Sequence, residues 1–222
     1  MHLPALLALV LGLFVYQSSL VGARAIGLQE RDDNLPARVP YVFPAPGTNE
    51  IADDIRARRA NGTLLALDGV LLNAPLVAKG WNDLAGVIRD QNSLPGTMRE
   101  LLILRVGVLN DAAYEWLQHE PVGRQEGLTT DQLKTIRLTP AFASQTAQKV
   151  LGPQLTAAMD FCDWITKTID VPDRVFNTLR GFLNDQQMVE ATATAGFYAL
   201  VSRFVEALDV DGKANTLVPV PQ

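Results

Sequence analysis

The sequence is poor in the residue types that most often carry chemistry. One cysteine and two histidines occur in 222 residues, and His2 falls in an amino-terminal segment that reads as removable. A lone thiol, Cys162, excludes an intramolecular disulfide framework and a CxxC redox pair. With His119 as its only lasting imidazole, the chain also has no Cys/His zinc cluster within one subunit. Glycine-rich phosphate loops, a G-x-S-x-G elbow and an H-E-x-x-H stretch are all missing. Positive charge is short too: 19 Lys and Arg against 24 Asp and Glu leave a net charge of −5, which argues against a nucleic-acid partner. Acid/base work near neutral pH must use His119 or carboxylates with displaced pKa values.

What the sequence does have is apolar mass. With 48% hydrophobic and 19% charged residues, the chain can bury one globular core. The run Leu3–Tyr16 is almost wholly apolar, is followed by polar Gln17, Ser18 and Ser19, and ends in Ala23-Arg24-Ala25. Residues 1–25 therefore read as a secretory signal, which implies a secreted or secretory-pathway protein with no membrane attachment after cleavage. In that setting Asn61-Gly62-Thr63 becomes a glycosylation sequon at Asn61. Residues 26–48, with Pro36, Pro40, Pro44 and Pro46, read as an extended arm lying on the surface or on a neighbouring subunit. Residues 49–211 read as a helical domain, and 212–222, with Pro219 and Pro221, as a loose tail.

Within the domain nearly every segment has helical spacing, and strand alternation backed by hairpin turns is absent, so the fold class is all-α. Ile51, Ala52 and Ile55 mark a first helix, and Leu64–Leu72 a short second one. Pro75 suits a first helical turn, after which Val77, Trp81, Leu84 and Ile88 form a stripe. Met98–Leu109 is apolar all round at Leu101–Leu104, the pattern of a helix buried on most sides. Asn110-Asp111 opens a helix from Ala112 to Glu126, and Thr129-x-x-Gln132 has capping-box form. Leu155, Ala158, Cys162, Ile165 and Ile169 make a further stripe, Val171-Pro172-Asp173 opens another helix, and Asn184-Asp185 opens a long last one. Its small residues Ala191–Gly196 suit close packing against another helix. Arg99-Glu100-Leu101 and Val189-Glu190-Ala191 hint at two related helical halves.

Glu115 and His119 stand four residues apart and share a helix face, which suits a carboxylate that orients an imidazole for general acid/base catalysis. An exposed i, i+4 ion pair is the plain alternative. Tyr114 and Trp116 flank the pair as candidate substrate contacts, and Pro121 cannot donate to the carbonyl of Leu117, so a kink is expected beside His119. Glu100, on the apolar helix, is either a buried functional carboxylate or half of a salt bridge. Arg105 is then either an anion clamp or the partner of Glu100. Trp81 sits on an apolar stripe, more often core than ligand contact, and Cys162 reads as a structural thiol.

The segments Arg99-Glu100-Leu101-Leu102-Ile103-Leu104-Arg105, Ala113–Pro121 and Glu126-Gly127-Leu128-Thr129 resemble the carboxymuconolactone decarboxylase family, which shares its fold with alkylhydroperoxidase D. The likeness extends from Ile55–Arg59 to Ser202-Arg203-Phe204. It implies an AhpD-like helical bundle assembled as a homo-oligomer, often a trimer or hexamer. In the peroxidase branch a CxxC pair precedes the histidine; here those places are Ala112 and Glu115, so thiol peroxidase chemistry is excluded on residue grounds. A histidine that many relatives carry in a Leu-Leu-His-Ser-Pro-like segment is replaced, since the chain reads Leu71-Leu72-Asn73-Ala74-Pro75.

The cysteine-free, decarboxylase-like branch implies a cofactor-independent lyase that transfers a proton on a small carboxylated or lactone-type metabolite. In this reading His119, Glu115 and Glu100 are catalytic, and Arg105, Tyr114, Trp116 and Trp81 bind substrate. The rivals are an isomerase, cyclase or dehydratase of the same fold, and a catalytically inactive ligand-binding oligomer.

Overall fold

The computed structural model describes residues 37–59 and 61–222; the expected signal and the first part of the arm lie outside the described residues. Among the described residues all regular structure is helical: α1 (Glu50–Arg58), α2 (Ala66–Leu71), α3 (Pro75–Asp90), α4 (Gly96–Leu109), α5 (Ala113–Gln125), α6 (Thr130–Leu138), α7 (Gln148–Thr168), α8 (Asp173–Arg180) and α9 (Asp185–Ala207), with short 3-10 turns at Ser144–Ala147 and Val210–Gly212. The locally encoded starts are where the sequence places them. Asn49, Thr129 and Asn184 accept from backbone N–H groups of the first turns of α1, α6 and α9, and Pro75 occupies the first turn of α3, where its missing N–H costs nothing.

Helix α4 is the axis of the bundle. Leu101, Leu102, Ile103, Leu104 and Val106 are all fully buried, and α5, α6, α7 and α9 pack around the helix. A helix apolar on every side has this one stable place, since any exposed face would leave Leu or Ile in water. In α7, Gly152 takes a left-handed conformation (φ 73°) and Pro153 follows it, so two helical pieces meet at a bend. No helix of the described residues is long and apolar enough to cross a membrane.

The described part of the arm agrees with the first of its two expected places, the surface: it is mostly exposed or half-buried, and buried Ala37 with backbone bonds from Arg38 to Leu208 and from Val42 to Gly69 holds it on its own chain. Several other expectations are corrected. The tail is docked, because Arg137 donates through two nitrogens to the carbonyl of Val218 (3.0 and 2.8 Å) and Val218 is buried. A charged fork holding a backbone carbonyl is a local decision that composition does not reveal. The α3 stripe keeps Trp81 and Ile88, but buried Ala78 and Ala85 take the places of Val77 and Leu84, which are about half exposed. Ile169 leaves its stripe altogether, at 86% exposure, because α7 ends there with a positive φ. Helix α5 runs through Pro121 without interruption from Ala113 to Gln125. Of the small residues in α9, Ala191, Thr194 and Ala195 face the core, whereas Thr192, Ala193 and Gly196 are exposed. Glu190 lies near the surface and accepts from Ser93, unlike buried Glu100, so the two glutamates of the suggested halves occupy different environments.

Candidate active site

His119 is buried in the middle of α5, and both of its ring nitrogens are taken. Its Nδ1 is 2.9 Å from Oε2 of Glu100 on α4, and its Nε2 is 3.1 Å from the hydroxyl of Tyr198 on α9. The close approach of α5 to α4 depends on Gly123, one turn beyond His119: a Cβ there would sit 3.1 Å from Leu128 Cδ1 and 3.2 Å from Leu104 Cδ1. The carboxylate partner of His119 is therefore Glu100, 19 residues earlier, and not the expected Glu115.

The hydrogen-bond inventory fixes where the protons are. Arg89 Nε, which can only donate, is 2.6 Å from the hydroxyl oxygen of Tyr198, so that oxygen accepts and its single proton is free to point at His119 Nε2. Nε2 is then the acceptor, and Nδ1 carries the ring proton and donates it to Glu100. Burial lowers the proton affinity of His119, and the nearby Arg89 and Arg59 charges lower it further, against the pull of Glu100. The imidazole is neutral at pH 7. Burial alone would raise the Glu100 carboxyl, but the bond from His119 and the Arg99 guanidinium, 3.2 Å away, outweigh it and hold Glu100 below the ordinary range. The phenol of Tyr198, fully buried, is pushed up despite Arg89.

Glu115 is a separate acid. Its Oε2 is 2.8 Å from Ser202 Oγ on α9, its Oε1 has no partner, and the side chain is buried. Burial raises its pKa well above normal, with Glu206 adding to the effect. A protonated Glu115 can donate to Ser202 Oγ while that hydroxyl donates to the carbonyl of Tyr198 at 2.9 Å, which leaves both protons placed.

Glu100, His119, Tyr198, Glu115 and Tyr114 line one cavity of about 740 Å³, together with the guanidinium residues Arg58, Arg59, Arg89 and Arg99. Arg59 pairs with buried Asp68 at 2.7 Å and Arg99 with Glu126 at 2.7 Å. Tyr114 accepts from the N–H of Leu67 at 3.3 Å, and its phenol is pushed up to about 12 by burial. Asn61 also borders the cavity and is exposed, as a sequon asparagine must be to accept a glycan.

Three expected substrate contacts are elsewhere. Arg105 is fully buried and makes a two-pronged pair with Asp163 (2.6 and 3.0 Å), so it neither clamps a ligand nor neutralises Glu100. Trp116 is fully buried with its indole N–H on Glu120 at 2.9 Å. Trp81 meets Phe197 edge-to-face and Phe204 at a tilt, with ring centroids 5.2 and 5.1 Å away. None of the three lines the cavity. Asn73, at the place where the resemblance implies a histidine, is also outside it: its Nδ2 donates to the carbonyls of Pro40 and Val70. Cys162 is buried, and burial pushes its thiol up to about 12, consistent with a structural thiol. Sequence reasoning missed Tyr198, Arg58, Arg59, Arg89 and Arg99 as site residues; the available signal was an arginine doublet at the end of α1 and a polar Tyr198 inside an apolar helix. Among the described residues, no three His, Cys, Asp or Glu side chains are grouped to hold a metal ion.

Residues 75–158 match the carboxymuconolactone decarboxylase family. The matched segment runs from α3 into α7 and contains Glu100, Glu115 and His119, so the resemblance drawn from Arg99–Arg105 and Ala113–Pro121 is supported. The carboxymuconolactone decarboxylase match is accompanied by structural likeness. A protein of unknown function from Agrobacterium tumefaciens, for which an antioxidant-defence AhpD role has been put forward, superposes with a TM-score of 0.56 at 21% identity, over 62% of this chain and 91% of that one. An uncharacterised peroxidase-related protein from Ralstonia eutropha JMP134, described as an alkylhydroperoxidase AhpD core, gives a TM-score of 0.54 at 20% identity, over 84% of this chain and 98% of that one. These likenesses show that the fold is AhpD-like. No curated protein matches the chain.

Proposed function

We propose that the chain is a cofactor-independent enzyme of the carboxymuconolactone decarboxylase type, transferring a proton on a small carboxylated metabolite. The observation that supports this is the chain Arg89–Tyr198–His119–Glu100 on the wall of a guanidinium-lined cavity. The proton partner of the substrate is the Tyr198 hydroxyl, because the neutral His119 presents an acceptor and not a donor on that side. In a lyase, the bond from the substrate carbon to its carboxylate breaks, CO₂ leaves, and the electron pair moves into an adjacent carbonyl. Tyr198 then protonates the carbon, and Arg89 stabilises the phenolate left behind. The phenol is restored by a proton from solvent, which His119 accepts at Nε2 as an imidazolium beside Glu100 and passes to the Tyr198 phenolate. Glu100 is the positioning carboxylate of His119, and Glu115 a neutral acid beside it.

The same parts run in reverse as a base. Tyr198 passes its proton to His119 Nε2 while accepting one from a substrate carbon; Tyr198 then delivers a proton to a different carbon of the resulting enolate and regains its own from His119, which together is double-bond migration without loss of CO₂. The acceptor tautomer of His119 favours this isomerase reading as the second candidate. Neither route uses a thiol, and Cys162 is buried outside the cavity, so the antioxidant role put forward for one structural relative does not carry over through this cysteine.

The test is incubation of the purified protein with carboxylated lactones and β-keto acids, read by CO₂ release and product mass. Tyr198→Phe and His119→Gln should each abolish most turnover; wild-type rates in both folded variants would refute the proposal. Homo-oligomeric assembly is part of the same reading, supported by exposed apolar side chains on α3 (Leu76, Val77, Leu84, Val87) and α9 (Val189, Leu200). A secretory location is supported by residues 1–25, and amino-terminal sequencing of protein recovered from culture medium tests it.

A further inference from the structure

Two of the four cavity arginines differ from the others in their partners. Arg59 and Arg99 are paired with carboxylates. Arg58 makes one hydrogen bond, from Nε to Asn82 Oδ1 at 2.7 Å, and Arg89 makes one, from Nε to Tyr198 at 2.6 Å. Among the described residues neither has a carboxylate at ion-pair distance, and the terminal nitrogens of both donate to no protein atom. Those nitrogens are not enclosed by protein, so they reach open space, and both residues line the cavity. Burial depresses the proton affinity of Arg58, and the nearby Arg59 and Arg89 charges depress it further, against Asp90 and Asp68. The cavity also holds the carboxylates of Asp90, Glu100 and Glu126, but Arg58 and Arg89 are without an ion pair among the described residues, and an anion set between them relieves their mutual repulsion. Each Nε bond also fixes its guanidinium plane, leaving the terminal nitrogens as prepositioned donors suited to a carboxylate.

We infer that Arg58 and Arg89 form a carboxylate anchor in this cavity, specific for a small molecule with an apolar body and an ionised carboxyl group. Leu65, Leu67, Val122 and Val201 supply the apolar lining. Two guanidiniums stabilise the carboxylate as an anion, which opposes its departure as neutral CO₂. The anchored group is therefore a handle kept through the reaction, and Arg89 ties it directly to the proton-transferring hydroxyl of Tyr198. Only this last role rests on the proton-transfer reading; the anchor itself is a statement about binding.

Calorimetric titration of the full chain with benzoate and with benzamide, its neutral isostere, tests the anchor. Benzoate should bind at least tenfold more tightly than benzamide, a difference of about 1.4 kcal/mol. Arg58→Gln should remove that preference by weakening benzoate and leaving benzamide unchanged, and Arg58→Lys, which keeps the charge but loses the fork, should fall between. Arg203→Gln, on an exposed residue outside the cavity, should bind as the unaltered chain does. Equal affinity for the two probes, no binding of benzoate, or undiminished benzoate binding in a folded Arg58 variant each overturns the anchor. If the probe discrimination holds while no substrate of the panel turns over, the proton-transfer reading fails and the anchor stands.

Discussion

Arg105→Met should destabilise the protein by about 4 kcal/mol while leaving ligand binding intact. The magnitude follows from what the guanidinium holds. Arg105 and Asp163 are both fully buried, and removing one member of a buried pair costs about 3–5 kcal/mol because the other charge is left unpaired. Asp163 would keep only the N–H of Phe142 at 2.8 Å. Arg105 Nη1 also donates to the carbonyls of Ile136 and Thr139, each at 2.8 Å. The Ile136 carbonyl needs this donor for a covalent reason: the residue four positions on is Pro140, which has no N–H to close the helical bond. Met fills much of the volume, so the loss is polar and not a cavity. Urea unfolding monitored by circular dichroism measures it, and a chain of this size should lose about 10 °C in Tm. The Arg105→Met, Asp163→Leu double variant should recover part of the loss, since it leaves no lone buried charge. A single-variant cost below about 1 kcal/mol, or a double variant worse than the sum of the singles, would refute this reasoning.

Tyr198→Phe should lower turnover by about 10²–10⁴-fold but benzoate affinity only severalfold, because it removes the proton donor and the bond that fixes Arg89 while leaving both guanidinium charges in place; steady-state kinetics beside calorimetry separates the two. The pH dependence of stability has opposing contributions. His119 binds its proton less well folded than unfolded, so stability rises with pH between its lowered folded pKa and about 6.5, and His119→Gln should flatten that rise. Glu115 is raised, so above about 4.5 the unfolded chain releases a proton that the folded chain keeps, and stability falls with pH up to the folded pKa. Glu115→Gln should remove that fall, and denaturant titrations from pH 5 to 8 that show neither change would contradict the assignment. Gly69→Ala should loosen the arm, because its Cβ would lie 2.6 Å from the Phe43 ring and 3.1 Å from Tyr41 Cβ. A cost of about 1–3 kcal/mol is expected, together with faster proteolytic cleavage within residues 37–48; unchanged cleavage would show that the ring moves aside freely.

Helix positions were legible in the sequence because their causes are local. A capping side chain reaches its N–H within three residues, and Pro75 acts in its own turn. The same local logic erred where a partner came from elsewhere. The i, i+4 relation of Glu115 and His119 is correct as helix geometry, yet α4 brings Glu100 to one side of the imidazole and α9 brings Tyr198 to the other. Trp81 and Trp116 carried amphipathic surface that suggested ligand contact, but their neighbours in the bundle enclose them. Tyr198 could be seen only as a polar group in an apolar helix, without its role.

The sequence by itself determined the helical class, the nature of α4 as the buried axis, the absence of thiol pairs and the dependence of acid/base chemistry near neutral pH on His119 or on carboxylates with displaced pKa values. These follow from composition and from periods of three to four residues. The tertiary structure alone decided the proton inventory. Whether a carboxylate is ionised, which imidazole nitrogen accepts, and which arginines are left without an ion pair all depend on desolvation and on partners 19 to 109 residues away in the chain, and packing sets both.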